Sequence, residues 1–393
     1  MQRNHSFNRN NSLLVSKQMK HLLLAIIPAL FFCGASAEKM QWHDPMNETQ
    51  APVWGRAFNT ETGKNYQRLP KRFKATMPTA VWNLSLKNAG IFLRFNTNSK
   101  KIWVRYILDN PNNNAGNMPP LGHSGVDLYG YDNKGSLHWL PNQMYYDFHY
   151  NKTDTALFRY DDIVIPESGT KGLDYQLYLP TYNAVKWLEV GTEKGSTFSF
   201  IQPDGQKPVV VYGSSIAQGA ASSRPGNAWP NFLERMIGRT VVDLGFSGCG
   251  LMEPEVFRML SEIDAKVFII DAVPNSFRFY GTDTVANRLY NGIKILRAKS
   301  NAPIVVAECI VAPDNFFVSA KDGKKIWTNA LQRKTFERLQ KEGVKGLYYV
   351  WNSDFGMKRD YLIEGTHPND LGNQAYADTY RKALLKFGLL NDK

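Results

Sequence analysis

The sequence predicts an all-β sandwich followed by a parallel three-layer α/β domain, on three observations. From about Thr79 to Gln202, short runs rich in aromatic and β-branched residues alternate with turns such as Asn88-Ala89-Gly90 and Asn133-Lys134-Gly135, as in sandwiches and barrels, with a jelly-roll-like sandwich the favoured form. After Pro203-Asp204-Gly205 the rhythm changes, and strand-like runs alternate with helical ones. That alternation builds a parallel sheet covered on both faces. At 393 residues the chain is too long for one ordinary domain and suits two. The expected divisions are a leader over 1–37, the sandwich over 38–202 and the α/β domain over 203–393.

The leader comes first. Lys20 and His21 precede an apolar run from Leu22 to Phe32, and Ala35-Ser36-Ala37 offers a small-x-small cleavage site. This is the layout of a secretory signal peptide cut before Glu38. The run is too short for a membrane span, and no later segment is a better candidate, so a secreted or periplasmic protein with no integral membrane span is expected. Cys33 leaves lipid anchoring open, although Phe31-Phe32 before it is a poor context. The formal charge of +12 includes Arg3, Arg9, Lys17 and Lys20 of the leader. Without them the balance is 43 minus 35, or +8. The remaining cations are scattered among acids, which describes a solvated surface and argues against a nucleic-acid partner. Beyond the leader only Cys249 and Cys309 remain, too few for a disulfide framework, so free buried thiols are expected. No His/Cys/Asp spacing suggests a metal, and no cofactor is expected.

Residues 38–70 read as irregular. The expected strands of the first domain are Ala80–Leu86, Ile91–Thr97, Lys101–Leu108, Gly125–Asp132, Ser136–Leu140, Phe148–Asn151, Ala156–Tyr160, Asp174–Leu179, Ala184–Val190 and Ser196–Ile201. Between them, Asn110 to Gly122 is a long Asn/Gly/Pro-rich loop of the kind that carries function. In the second domain the expected strands are Val209–Tyr212, Thr240–Leu244, Val267–Ile270, Ile304–Ala307 and Leu347–Val350. Helical patterns lie at Ala228–Met236, Glu253–Ile263, Val285–Lys299, Ile326–Glu342 and Asn369–Phe387. Five such strands fit a flavodoxin-like order, with ligands at the carboxyl edge beside the first strand.

Four loops on that edge carry candidate chemistry. The first strand ends in Gly213-Ser214-Ser215, with no helix expected before about Asn227. A serine there is a nucleophile if a base is within reach, and otherwise ordinary turn chemistry. From residue 200 onward the one histidine is His367, in Glu364-Gly365-Thr366-His367-Pro368-Asn369. Its pKa range suits a general base, and Glu364 three residues earlier can hold its tautomer. The second strand ends in Gly245-Phe246-Ser247-Gly248-Cys249-Gly250, where glycine lets backbone N–H groups face a ligand. The third ends in Asp271-Ala272-Val273-Pro274-Asn275, where an Asn amide can donate to an oxyanion or close an Asx turn.

Together these blocks resemble the SGNH (GDSL-type) hydrolases, in which Ser, Gly, Asn and His occur in that chain order, and the resemblance covers about residues 205–390. It implies Ser215 as nucleophile, His367 as base, and an oxyanion hole from the Ser215 and Gly248 N–H groups and the Asn275 side chain. Ser214 stands where the family has Asp, and Glu364 stands where the usual Asp precedes the histidine. The third member of the triad is therefore open between Glu364, Asp360 and a backbone carbonyl. Gly125-Val126-Asp127-Leu128-Tyr129 is similar to the Gly-x-Asp-Leu-Tyr motif of the β-rich domain found before one group of bacterial SGNH hydrolases. Asp127 and Tyr129 are expected to be structural to that motif. Such two-domain proteins resemble secreted carbohydrate esterases, which implies an acetylated oligo- or polysaccharide substrate. Exposed aromatics such as Trp139 or Tyr145 could then stack on sugar rings or simply fill the sandwich. The alternatives are a lipase or thioesterase acting on longer acyl esters, and a non-catalytic glycan-binding protein on the hydrolase fold.

Overall fold

The computed structural model describes residues 40–166, 171–311 and 320–390. The expected leader over 1–37, with Cys33, lies outside them. The first part holds eleven strands: β1 (Met40–His43), β2 (Val53–Trp54), β3 (Phe92–Thr97), β4 (Ile102–Leu108), β5 (Asp127–Tyr131), β6 (Leu137–Leu140), β7 (Tyr146–Asp147), β8 (Thr155–Tyr160), β9 (Leu173–Tyr178), β10 (Val185–Glu193) and β11 (Phe198–Phe200). They form two antiparallel sheets, ordered β1-β10-β4-β8-β7 and β11-β3-β9-β5-β6, with β2 beside β3. Alternate residues such as Leu93 and Phe95 of β3, Leu177 of β9, Val104 and Tyr106 of β4 and Leu188 of β10 meet in one buried cluster between the sheets. This is the period-two burial of a sandwich.

Two expected strands are corrected. Ala80–Leu86 is instead helix α2 (Thr79–Ser85), one of two short helices near the start of the chain with α1 (Asn59–Thr62). It buries Val81, Trp82 and Ser85, a helical spacing that β-branched composition concealed. Phe148–Asn151 is not a strand. Tyr146–Asp147 makes the pairing with β8, and Tyr150–Lys152 turns as a 3₁₀ segment. The irregular amino-terminal stretch contributes the edge strand β1, whose partner residues, Val190 to Glu193 of β10, lie some 150 residues away and leave no local sequence trace.

The second part is built on β12 (Val209–Gly213), β13 (Val241–Gly245), β14 (Val267–Asp271), β15 (Ile304–Ala307) and β16 (Leu347–Val350), all parallel and ordered β13-β12-β14-β15-β16. Taken in chain order, that is the flavodoxin-like 2-1-3-4-5 arrangement. The strand runs are continuous rather than alternating because both faces are buried. Val210, Tyr212 and Ile270 pack against α6 (Pro254–Leu260), α7 (Thr284–Arg297) and α8 (Ala320–Lys341). Val209, Val211 and Ile269 pack against α5 (Trp229–Ile237) and α9 (Asp370–Lys386). Each such fully buried Val or Ile side chain stabilises by about 1.5–3 kcal/mol. Two further short helices, α3 (Pro120–Ser124) and α4 (Ser215–Gln218), lie on loops.

Contacts between the two parts are buried and both apolar and polar: Phe58, Leu69, Phe73, Met77, Val81 and Trp82 join the α/β core cluster around Val210 and Tyr212. Arg68 is fully buried and donates through Nη1 to the carbonyls of Asp243 (3.1 Å) and Gly245 (2.8 Å), and through Nη2 to Leu84 O (2.7 Å). Gln176 Nε2 donates to Glu234 Oε2 (2.7 Å), which also accepts the Tyr178 hydroxyl. Residues 40–390 thus belong to one compact unit.

Candidate active site

Gly213 ends β12, and a side chain there would sit 2.5 Å from Ala217 Cβ. Only glycine lets the chain turn straight back. The turn is α4, which sequence reading missed: Ser214 caps it by accepting from Ile216 N (3.3 Å), and Gly219 closes it at φ +96°. Ser215 is therefore the first residue of a short helix on the carboxyl edge. It is 8% exposed. Its carbonyl accepts from Ala220 N (2.9 Å) and from the Tyr182 hydroxyl (3.3 Å).

The His367 segment is folded by its own backbone. Ile363 N donates to His367 O (2.9 Å) and Asn369 N to Tyr361 O (2.8 Å), while Asn369 Oδ1 caps α9 by accepting from Gly372 N (3.1 Å). Gly365 at φ +79° forms the tip. The result places His367 Nε2 at 2.7 Å from Ser215 Oγ, and Glu364 Oε1 in contact with Nδ1. A carboxylate accepts, so it fixes the proton on Nδ1 and leaves the Nε2 lone pair facing the serine hydroxyl. Glu364 therefore occupies the orienting position that the sequence left open. Asp360 meets this segment through its carbonyl, which accepts from Asn369 Nδ2 (2.7 Å).

The loops after β13 and β14 come from the two strands that flank β12. Phe246 N donates to Gly213 O (3.0 Å), Ser247 N donates to Gln218 Oε1 (2.9 Å), and a Cβ on Gly250 would lie 2.4 Å from Gly213 O. Gly248 is exposed, with φ +66°. Asn275 Nδ2 donates to Cys249 O (2.5 Å), which spends one of its two N–H groups on the glycine loop itself. Arg278 ties the same two segments, donating to Gly248 O (3.0 Å) and Asn275 O (3.1 Å). All five residues singled out from sequence thus lie on one sheet edge. Ser215, His367 and Glu364 form a bonded line, and Gly248 and Asn275 sit on adjoining loops. Both thiols are free; Cys309 is buried and Cys249 half-buried.

The sandwich reaches this site. Asn117, on the loop flagged from sequence, brings Nδ2 to 3.4 Å from His367 Nδ1. Composition marked the loop but not that residue, and nothing local marked Tyr182. Asp127 is buried and structural. Its carboxylate takes Arg224 Nη1 (2.5 Å), Gly226 N (3.0 Å) and Trp139 Nε1 (2.7 Å), and the Tyr129 hydroxyl meets the same Arg224 nitrogen (2.6 Å). Desolvation drives the Asp127 pKa upward against the pull of Arg224. The loop so gripped holds α9 in turn: Ser223 N (2.9 Å) and Asn227 Nδ2 (2.8 Å) donate to the Asp370 carboxylate. Trp139 is half exposed, with Arg224 4.4 Å over its ring, and Tyr145 is half exposed as well.

Residues 206–385 match the family of GDSL-like lipases and acylhydrolases, and residues 40–198 match the GxDLY amino-terminal domain of SGNH-hydrolase-type esterases. Residues 206–385 thus form a domain of the GDSL-like lipase/acylhydrolase family, preceded by a GxDLY-type domain. A solved structure described as a putative GDSL-like lipase from Bacteroides ovatus is 29% identical, with a TM-score of 0.78 over 90% of this chain and all of that one. A salicylyl-acyltransferase from a tetracycline biosynthetic pathway, 20% identical, shares the fold, with a TM-score of 0.66 over 89% of this chain and 98% of its own. No curated protein sequence matches the chain. With these two domains the protein is an esterase or acylhydrolase of the GDSL/SGNH type.

Proposed function

We propose that the protein is a secreted serine esterase that removes acetyl groups from a glycan. The observation that carries the chemistry is the Ser215–His367–Glu364 line, with Ser215 Oγ 2.7 Å from His367 Nε2. Ser215 Oγ attacks the ester carbonyl as its proton passes to Nε2, forming the tetrahedral oxyanion. The donors for that oxyanion are the Ser215 and Gly248 N–H groups and the amide proton of Asn275 not given to Cys249. Collapse expels the sugar alkoxide, which takes the proton from the imidazolium and leaves an acetyl-serine. Water then attacks with the same base, releasing acetate and restoring the hydroxyl.

The glycan reading is supported by the secretory layout of the leader, by the resemblance to secreted carbohydrate esterases, and by the half-exposed Trp139, whose ring meets Arg224 of the α/β part. The test is acetate release from a panel of acetylated plant and bacterial polysaccharides, with nitrophenyl acetate as the generic ester and Ser215→Ala as the blank. Release that disappears in the variant supports the reading. Turnover that rises with acyl chain length returns the protein to the lipase or thioesterase class. A folded protein that hydrolyses no ester sinks the triad.

A further inference from the structure

Cations gather about the loops that carry Asn275 and His367. The exposed Arg278 is bonded to the carbonyls of Gly248 and Asn275, the two segments assigned to the oxyanion. Lys321 Nζ donates to Thr366 Oγ1 (3.0 Å), one residue before His367, and lies 5.2 Å from the Phe277 ring. One helical turn behind it, Lys324 Nζ is 5.8 Å from the ring of Tyr280, which is 52% exposed and stands edge-on to Trp327 at 5.1 Å. The start of α8 thus packs on the 3₁₀ segment that carries Asn275.

The nearby acids do not cancel this charge. Glu364 is engaged by His367, and Asp322 is paired with Lys325 (3.7 Å). Arg333, farther along α8, is neutralised by Glu308 (2.6 Å). Among the described residues, Arg278, Lys321 and Lys324 have no carboxylate partner. They spend their donors on carbonyls and a hydroxyl, or lie over aromatic rings.

We infer that the esterified substrate is an anionic glycan, whose carboxylated sugars are held by Arg278, Lys321 and Lys324 beside the Phe277–Tyr280–Trp327 rings. This deepens the ester-hydrolase reading above and rests on it. The chemistry favours this class over the others. A carboxylate takes charge-assisted hydrogen bonds from Lys and Arg, and a sugar's C–H face stacks on an exposed aromatic ring. A neutral glycan uses the rings and leaves the cations idle. A long acyl chain calls for an apolar groove, which cations at its mouth would oppose. The cationic edge also raises the local concentration of a polyanion and its rate of encounter, an effect that added salt screens.

The test is the ratio of kcat/KM on acetylated polygalacturonate to that on acetylated glucomannan, measured with the purified chain, with nitrophenyl acetate as the common small ester. The expected ratio is about tenfold at low salt, falling several-fold at about 0.5 M salt, where the screening length is a few ångströms. It falls toward one in the double variant Lys321→Ala/Lys324→Ala and is retained in Lys324→Arg. A ratio reports only on active enzyme, so a variant that merely loses some active fraction does not move it. A wild-type ratio near one, or a preference that neither salt nor the double variant reduces, overturns the inference while Ser215-dependent turnover of nitrophenyl acetate leaves the esterase intact. Absence of Ser215-dependent turnover on every ester overturns both.

Discussion

The two halves of the candidate triad are held by different forces. The nucleophile side is fixed by backbone packing: Gly213, Gly245 and Gly250 each stand where a Cβ would fall within 2.5 Å of a neighbouring atom, and Ser215 is 8% exposed. The base side is a loop held by hydrogen bonds, backbone ones within residues 361–369 and side-chain ones from Glu364 and Asn369, and the Glu364 side chain is 42% exposed. It also touches the sandwich at Asn117, whose Nδ2 lies 3.4 Å from His367 Nδ1, and is braced by it through Asp127, the 223–227 loop and Asp370. A serine set by close backbone contacts has one position or none. A histidine set by several polar contacts can lose them one at a time. Substitutions on the nucleophile side are therefore expected to act all-or-none, and those on the base side in graded steps.

The largest effect is expected from Ser215→Ala, which removes the nucleophile and lowers kcat by about 10⁴–10⁶-fold with stability unchanged. Gly250→Ala tests the packing claim without touching a reacting group. Its Cβ would lie 2.4 Å from Gly213 O at φ +66°, so the loop must shift, and a displacement of about 1 Å costs about 10²-fold in kcat. Unaltered kcat in a folded Gly250→Ala protein would remove the basis for calling this side rigid.

Glu364→Gln sharpens the other half. A buried orienting carboxylate is worth about 10⁴-fold, but this one is partly solvated, and an amide oxygen can still accept from Nδ1. A fall of about 10–10²-fold in kcat with KM unchanged is expected. A fall as large as that of Ser215→Ala would mean that the exposed carboxylate is as indispensable as the nucleophile, which removes the contrast.

Asp127→Asn reaches the base from the sandwich. It leaves the partly buried Arg224 beside a neutral amide, and since breaking a fully buried pair costs about 3–5 kcal/mol of stability, a loss of up to about 3 kcal/mol is expected here. The effect on kcat is smaller, within about tenfold, because it travels through the 223–227 loop and Asp370 before reaching the His367 segment. Thermal unfolding and nitrophenyl acetate kinetics on the same preparation check both. Reduced stability with kcat untouched would confine the motif to bracing the two domains.

How much of this was legible follows the same division. The parallel sheet, its strand order and the loops at its carboxyl edge could be read because β-branched runs buried on both faces, such as Val209-Val210-Val211, leave a local signal. The helix at Ser215 was not legible, since four residues are too short for a period and its cap and stop residues look like any turn. In the first part, Val81-Trp82 has strand composition but forms a helix that buries against the α/β core, and β1 of the sandwich is set by a partner about 150 residues distant. Glu364 could be named as a candidate but not chosen over Asp360, because the choice depends on how the loop folds back at Gly365. Asn117 and Tyr182 act across the interface between domains, and Arg278 joins two separate loops of one domain, so sequence separation erases the pattern.

The smallest effect on activity is expected beneath the nucleophile side. Asp243 is buried under the Gly245 turn; its Oδ1 accepts from Gly245 N (2.7 Å) and its Oδ2 has no partner among the described residues. Desolvation, only partly opposed by Arg68, pushes its pKa up to about 7, against about 3.9 for an unburied aspartate. Between these values the folded chain holds a proton that the unfolded chain has released. The stability this contributes is therefore full below about pH 4 and lost as pH rises through about 7. Asp127, Glu234 and Asp271 are likewise raised by burial and act in the same sense. Asp243→Asn keeps the oxygen that Gly245 needs and cannot ionise. It should flatten part of the fall in melting temperature between pH 4 and pH 7, raise stability at pH 8, and leave kcat within about twofold, since no reacting group is touched. An unchanged slope would mean that Asp243 ionises without cost, and the rigid side would then owe its order to glycine packing alone.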